Sequence, residues 1–284
     1  MIKLQTEVTF PRSRVTVSYS DKIMVLGSCF ADNIGRKMQE AGFDVCVNPF
    51  GTLYNPVSIC NSVARLSSGA PFGMEDCVQM GAGSPLVCSF SHHTSFARPT
   101  GEEFLQAANG SLERASSFFK QCSKVVVTLG TAWCFRHVGT GEIVSNCLKR
   151  DAKEFVRERM GTGAVSALLS RLVEKYPEKE FIFTVSPVRH LKDGAFGNHL
   201  SKASLLLAVE SVLAGGVEYF PSYEIMMDEL RDYRFYAEDM VHPSAPAIDY
   251  IWQRFCDFAL PESEKEELLA KEKLFRQSQH RQLH

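Results

Sequence analysis

No CxxC pair occurs in this chain, although it holds nine cysteines. They stand at positions 29, 46, 60, 77, 88, 122, 134, 147 and 256, odd in number, scattered and mostly inside apolar runs. That distribution argues against a disulfide framework and describes reduced core residues. HExxH and other closely spaced ligand sets are missing as well, so a metal centre would need Asp239, His242 and His190 or His92 gathered from distant segments. No GxGxxG or GxxxxGK follows a strand, which removes the familiar phosphate cradles. Neither sign of charge dominates: 31 Lys and Arg against 33 Asp and Glu leave a net charge of -2, with no global pull on nucleic acid or anionic membrane. No apolar run approaches membrane-spanning length, and Met1 to Val15 alternates polar and apolar residues around Pro11, unlike a signal peptide. The expectation is a cytoplasmic protein with no cofactor, no nucleic-acid partner and no membrane partner.

What is present is a large apolar fraction. Hydrophobic residues make up 45% of 284, enough for a substantial core without covalent staples. Buried-type runs at Ile23–Leu26, Lys124–Leu129, Glu180–Val185 and Val217–Phe220, with a shorter one at Phe43–Val47, do not alternate and are separated by helical patterns. Such runs predict an α/β fold, a three-layer α/β/α sandwich with a mostly parallel sheet. An edge strand is expected around Val15–Val17, and a hairpin where Trp133–Val138 and Glu142–Ser145 flank Gly139-Thr140-Gly141. Residues 1–260 read as a single domain whose irregular insertion, at about 68–101, suits a functional loop better than a linker. Residues 261–284 read as a charged helical tail that frays at its end.

Ligands of such sheets bind at the carboxyl ends of the strands, and the polar residues gather there. The run ending at Leu26 stops on Gly27-Ser28 and passes into a helical pattern from Phe30, which presents the Ser28 hydroxyl beside a helix N-terminus. Ser28 is therefore a candidate nucleophile; an isolated Gly-Ser is equally an ordinary helix cap. Cys29 is a rival, but adjacent residues in such a turn face different ways. Asp239 and His242, three residues apart before a helix capped by Ser244, can supply a base and the carboxylate that orients it. Other strand ends carry Asn48 to Gly51, Gly130-Thr131 and Ser186 to His190. Arg189 and His190 are candidates for substrate contact, with a loop-holding ion pair as the alternative for Arg189. His92 and His93 either line the same pocket or decorate a mobile loop, and His137 is expected to be structural.

Taken in order, Gly27-Ser28-Cys29-Phe30-Ala31, Asn48-Pro49-Phe50-Gly51, Thr128-Leu129-Gly130-Thr131-Ala132, Ser186-Pro187-Val188-Arg189-His190 and Asp239-Met240-Val241-His242-Pro243 resemble the GSCFA domain family within the SGNH (GDSL-like) hydrolase superfamily. The resemblance spans roughly residues 20 to 258. It implies a flavodoxin-like SGNH fold, with Ser28 as nucleophile, His242 as general base and Asp239 as its orienting carboxylate. The Ser28 and Gly51 N–H groups would be oxyanion donors. SGNH enzymes usually carry an asparagine two residues after the glycine of the third block, where this chain has Thr131-Ala132 after Gly130. Thr131 is the nearest replacement for that donor, with Asn48 and the 92–93 histidines as substitutes. The implied activity is hydrolysis of a small acyl ester on a carbohydrate or similar alcohol through an acyl-enzyme. The alternatives are an acyltransferase using the same site and a catalytically decayed ligand-binding module.

Overall fold

Apolar runs with no polar alternation must bury both faces, and the strands of the main sheet do so. The structure, a computed structural model, describes residues 6–282, with side chains through 279. In chain order its first elements are β1 (Lys22–Gly27), α1 (Cys29–Glu40), β2 (Asp44–Val47), α2 (Pro56–Ser68), β3 (Val78–Gln79), β4 (Val87–Cys88) and α3 (Gly101–Gln121). Then come β5 (Lys124–Leu129), β6 (Trp133–His137), β7 (Ile143–Val144), β8 (Phe155–Arg159), α4 (Thr162–Lys175), β9 (Glu180–Val185) and α5 (Gly194–Glu210). The chain closes with β10 (Val217–Phe220), α6 (Ser222–Glu224), α7 (Ala245–Ala259) and α8 (Lys265–Gln282).

Five parallel strands form the main sheet in the order β10-β9-β5-β1-β2. Counted along the sheet this is the doubly wound 2-1-3-4-5 arrangement of flavodoxin-like folds, whose ligand crevice opens where the winding reverses, here between β1 and β5. Side chains within each strand divide between two cores. Met24, Leu26, Val125, Val127, Phe181 and Phe183 pack toward α2, α3, α4 and α5. Ile23, Val25, Val126 and Ile182 pack toward α1 and α7 with Phe30, Ile34, Met38 and Trp252. The result is a three-layer α/β/α sandwich, and emptying one of its large positions, such as Phe181→Ala, would cost about 3–5 kcal/mol.

Several local expectations change. Val15 and Val17 are buried but lie in no strand; the arm is extended and clamps the end of α7, where Ser13 N–H donates to Phe258 O at 2.8 Å and Val17 N–H to Ala259 O at 2.9 Å. The hairpin at 133–145 forms, and β8 adds to it as an unforeseen third strand, giving the order β7-β6-β8. The 68–101 insertion contains a small antiparallel ladder, β3 with β4, and two single 3-10 turns. Helix α5 opens at Gly194, and α6 is one turn that runs into a π turn over Ile225–Glu229. Ser244 stands at the N-cap of α7 without a capping bond, its hydroxyl buried and without a partner among the described residues. Helix α8 rests on the α1/α7 layer: Leu268 is buried, Trp252 Nε1 donates to Glu272 at 2.8 Å, and Lys271 Nζ lies 3.5 Å over the Tyr19 ring. Among the described residues no helix is long and apolar enough to cross a membrane.

Candidate active site

Ser28 sits at the switch point because β1 ends there. Gly27 adopts φ +132°, and a methyl group on it would lie 2.1 Å from Thr128 O, so only glycine lets β1 and β5 approach this closely. Ser28 is the N-cap of α1, and its Oγ accepts the Phe30 N–H at 3.3 Å. The residue is fully buried. On its other side stands Gly130, at which a methyl group would meet Ser28 Cβ at 3.3 Å and Tyr54 O at 2.9 Å.

The candidate base and its candidate carboxylate meet. His242 Nδ1 and Asp239 Oδ2 are 2.6 Å apart, and Asp239 Oδ1 accepts the N–H groups of Val241 and His242, both at 2.9 Å. These bonds, that of the His242 backbone first, hold the Asp239 carboxyl at about 2. An ionised carboxylate only accepts, so Nδ1 carries the proton and Nε2 is left as the basic nitrogen. The turn is pinned by Ala237 N–H to His242 O at 2.8 Å and by Arg189 N–H to Val241 O at 3.1 Å. Met240 takes φ +58° inside it, the kind of strain that gathers at working sites. Both side chains remain about half exposed, and Ser28 Oγ makes no hydrogen bond to His242 among the described residues.

The anticipated oxyanion donors are engaged elsewhere. Ser28 N–H extends the β1–β5 ladder to Thr128 O at 3.1 Å, and Gly51 N–H closes a turn on Asn48 O at 2.7 Å. Thr131 Oγ1 lies 3.0 Å from Ser201 Oγ and accepts the Trp133 N–H at 3.1 Å, which fixes the loop beneath the strand end. The Cys29 thiol is pushed up to about 11 by burial, with the Asp32 carboxylate adding to it, so it is not a thiolate at neutral pH.

The sequence profile of the GSCFA family matches residues 22–255, which runs from β1 through α7. The chain belongs to the GSCFA family. Its five sequence blocks thus fall on the turn after β1, the loop after β2, the ends of β5 and β9, and the turn before α7. No curated protein matches the chain in sequence. Among solved structures, an acetyl xylan esterase from the rumen bacterium Butyrivibrio proteoclasticus is similar at a TM-score of 0.37 and 10% identity, covering 84% of this chain. The match spans 63% of the esterase's own length.

The other anticipated contacts of this GSCFA chain divide by burial. Asn48 is spent on the fold: its Oδ1 accepts Gly27 N–H at 2.8 Å while Nδ2 donates to Asp32 at 2.6 Å. His92 is fully buried among Phe50, Phe72, Phe96 and Phe104, with Nδ1 2.6 Å from Ser89 Oγ, and is a core residue. Burial lowers it to about 3. His93 stands over Gly51, and its Nδ1 accepts the Ser95 N–H at 3.2 Å; the neighbouring Asp32 carboxyl is raised by burial. Arg189 makes no carboxylate pair among the described residues; its guanidinium lies 5.2 Å over the Tyr236 ring, and both border a cleft of about 340 Å³ beside the dyad turn. His190 packs edge-on to Tyr54 and is lowered to about 3, by burial first and then by the charges of Lys202 and His242. His137, in β6, faces the Thr140 hydroxyl at 3.1 Å. Among the described residues no three His, Cys, Asp or Glu side chains converge on a metal site.

Lys202 of α5 escaped the sequence reading. It is fully buried and lowered to about 7 by that burial, and its Nζ donates to Gly130 O at 2.8 Å and Ser186 O at 2.7 Å. One side chain thereby ties the tips of β5 and β9 together beneath Ser28. Its signal was positional: Lys202, Leu205 and Val209 share one helical stripe, and a lysine in an apolar stripe needs an internal partner.

Proposed function

We propose that this chain is a serine ester hydrolase that works through an acyl-enzyme on Ser28, with a small acyl ester of a carbohydrate or similar alcohol as substrate. The observation that carries the reading is the Asp239–His242 pair, whose doubly anchored carboxylate fixes the imidazole in the tautomer a general base needs. His242 Nε2 takes the hydroxyl proton as Ser28 Oγ bonds to the ester carbonyl carbon. The tetrahedral oxyanion collapses, the C–O bond to the alcohol breaks, and the alkoxide leaves with the proton held on His242. Water then repeats the sequence on the acyl-serine, releasing the acid and restoring Ser28. The Cys29 N–H at the head of α1 is the backbone donor best suited to the oxyanion; one such donor contributes on the order of 3 kcal/mol to the transition state. The SGNH resemblance of the five blocks supports the same roles.

Complete burial of Ser28 favours a second reading, acyl transfer to a sugar hydroxyl, because a water-poor acyl-enzyme survives long enough to meet an alcohol. The test is turnover of p-nitrophenyl acetate with and without an added sugar. Release of p-nitrophenol with acetate as the sole acyl product supports hydrolysis, and acetylated sugar supports transfer. No release above background would favour the decayed binding module.

A further inference from the structure

The cleft beside the dyad turn carries charge that the acyl chemistry leaves unused, and two of its walls are tied to that turn by backbone. Arg189, four residues past the end of β9, donates its N–H to Val241 O at 3.1 Å, between Asp239 and His242 in the chain. Tyr236 bridges to Pro243, the residue after His242, and Ala237 N–H closes on His242 O at 2.8 Å. A ligand in this space of about 340 Å³ therefore lies on the His242 side of the site. The volume is near the lower end of the roughly 300–1,000 Å³ typical of small-ligand sites and suits one ring.

The lining selects an anion. Arg189 and Arg231 both border the cleft, and neither meets a carboxylate among the described residues. Arg189 is half-buried with its guanidinium 5.2 Å over the Tyr236 ring, so the side chain is held while its charge is left without a counterion. The carboxylate in the lining, Asp232, is engaged: Oδ1 accepts the Arg234 N–H at 2.9 Å, and Oδ2 faces the Arg234 guanidinium at 3.8 Å. Asp239, next door, is spent on His242 and on two backbone N–H groups. The floor beneath the two arginines is apolar, with Met226 and Leu230 buried, and Tyr233 stands 68% exposed beside Tyr236. An apolar floor favours a carboxylate over a phosphate dianion, which costs more to desolvate, and the tyrosine faces suit the ring that carries it.

The proton decides which half of the ester enters. In the hydrolase reading His242 returns its proton to the departing alcohol, so the alcohol leaves on the imidazole side, where the cleft lies. We propose that this cleft binds a carboxylate carried on the alcohol half of the substrate, so that the esters cleaved at Ser28 are those of a ring-bearing hydroxy acid. The carbohydrate or similar alcohol is thereby narrowed to an acidic one. This substrate assignment rests on the serine hydrolase reading; the carboxylate site itself does not.

Two measurements separate the site from the chemistry. The first is isothermal titration of 4-acetoxybenzoate, its neutral methyl ester and 4-acetoxyphenyl phosphate into Ser28→Ala. The acid should bind about tenfold tighter than the methyl ester, by a margin that shrinks in high salt. Arg189→Gln and the exposed Arg231→Gln, each added to Ser28→Ala, should narrow that margin several-fold; Arg231→Gln decides if Arg189→Gln lowers the melting temperature. Equal binding of acid and methyl ester, no heat from either, or a margin that both arginine variants keep would overturn the proposal. Tighter binding of the phosphate would overturn the choice of carboxylate. The second measurement is kcat/KM of the intact protein on the acid and on its methyl ester. A preference for the acid that falls about tenfold in Arg189→Gln supports the substrate assignment, and turnover of both with no preference would sink that assignment while sparing the hydrolase reading. Turnover of neither, beside a retained binding margin, would sink the hydrolase reading and leave the carboxylate site standing.

Discussion

The proposed nucleophile and its proposed base stand in regions built in opposite ways. Ser28 is fully buried at a strand–helix junction where its own N–H belongs to the β5 ladder and its hydroxyl accepts the Phe30 N–H. Asp239 and His242 occupy a turn outside any helix or strand, with side chains 50% and 45% exposed, pinned by backbone bonds to Ala237 and Arg189. One half of the site is part of the sheet, so changes there disturb fold and function together. The other half hangs on the surface, so changes there should disturb function alone. The difference also explains why the anticipated donors are spent: N–H groups that belong to a ladder or a tight turn satisfy the backbone first.

Breaking the dyad should give the largest effect. His242→Ala and Asp239→Asn are each expected to lower kcat on a model ester by about a thousandfold or more, with a melting temperature within a degree or two of the parent. Comparable losses of activity and of melting temperature would erase the contrast between the two halves. Gly27→Ala is the counterpart in the buried half. Its methyl group would meet Thr128 O at 2.1 Å, so several kcal/mol of stability should vanish with the activity, as urea denaturation would read. A variant of parental stability would show that the β1–β5 approach is looser than described.

Acid sharpens the comparison through the buried histidines. His92 and His190 both fall to about 3 in the folded protein from an ordinary 6.5. Between those values the unfolded chain binds protons that the folded chain refuses, so stability is full above about pH 6.5 and drains as pH falls toward 3, by a few kcal/mol for each ring. His92→Leu should flatten that slope in denaturant titrations. Lys202 gives an effect of similar size per group in the alkaline range, with the sign worked from a lowered amine. Between about pH 7 and 10.5 the unfolded lysine holds a proton that the folded one lacks, so the parent should gain about 1.4 kcal/mol per pH unit over Lys202→Met as pH rises. A difference independent of pH would mean that Lys202 stays charged between the Gly130 and Ser186 carbonyls.

Most of the sheet was legible because its strands are long apolar runs that need both faces covered. Strand β8 was not: Phe155-Val156-Arg157-Glu158-Arg159 reads as a charged loop until Arg157 is seen paired with Asp193 and Glu158 with Arg136. The 92–93 histidines show the limit for side chains. Two neighbours of one type separate into a core ring and a loop cap according to which face of the turn packs on Phe50 and Phe72. The dyad was legible because its spacing alone lets carboxylate and imidazole touch. The occupied donors were not, since their partners depend on the register of β1 against β5 and on the left-handed backbone of Asn48, at φ +39°.

The central claim is that Ser28 is activated by the His242–Asp239 pair. Intact-mass spectrometry after exposure to a fluorophosphonate tests it most directly, comparing the parent with Ser28→Ala, Cys29→Ala and His242→Ala. The account predicts one adduct in the parent and in Cys29→Ala, none in Ser28→Ala, and labelling slowed by orders of magnitude in His242→Ala. An unlabelled parent, or labelling that survives Ser28→Ala, would contradict it.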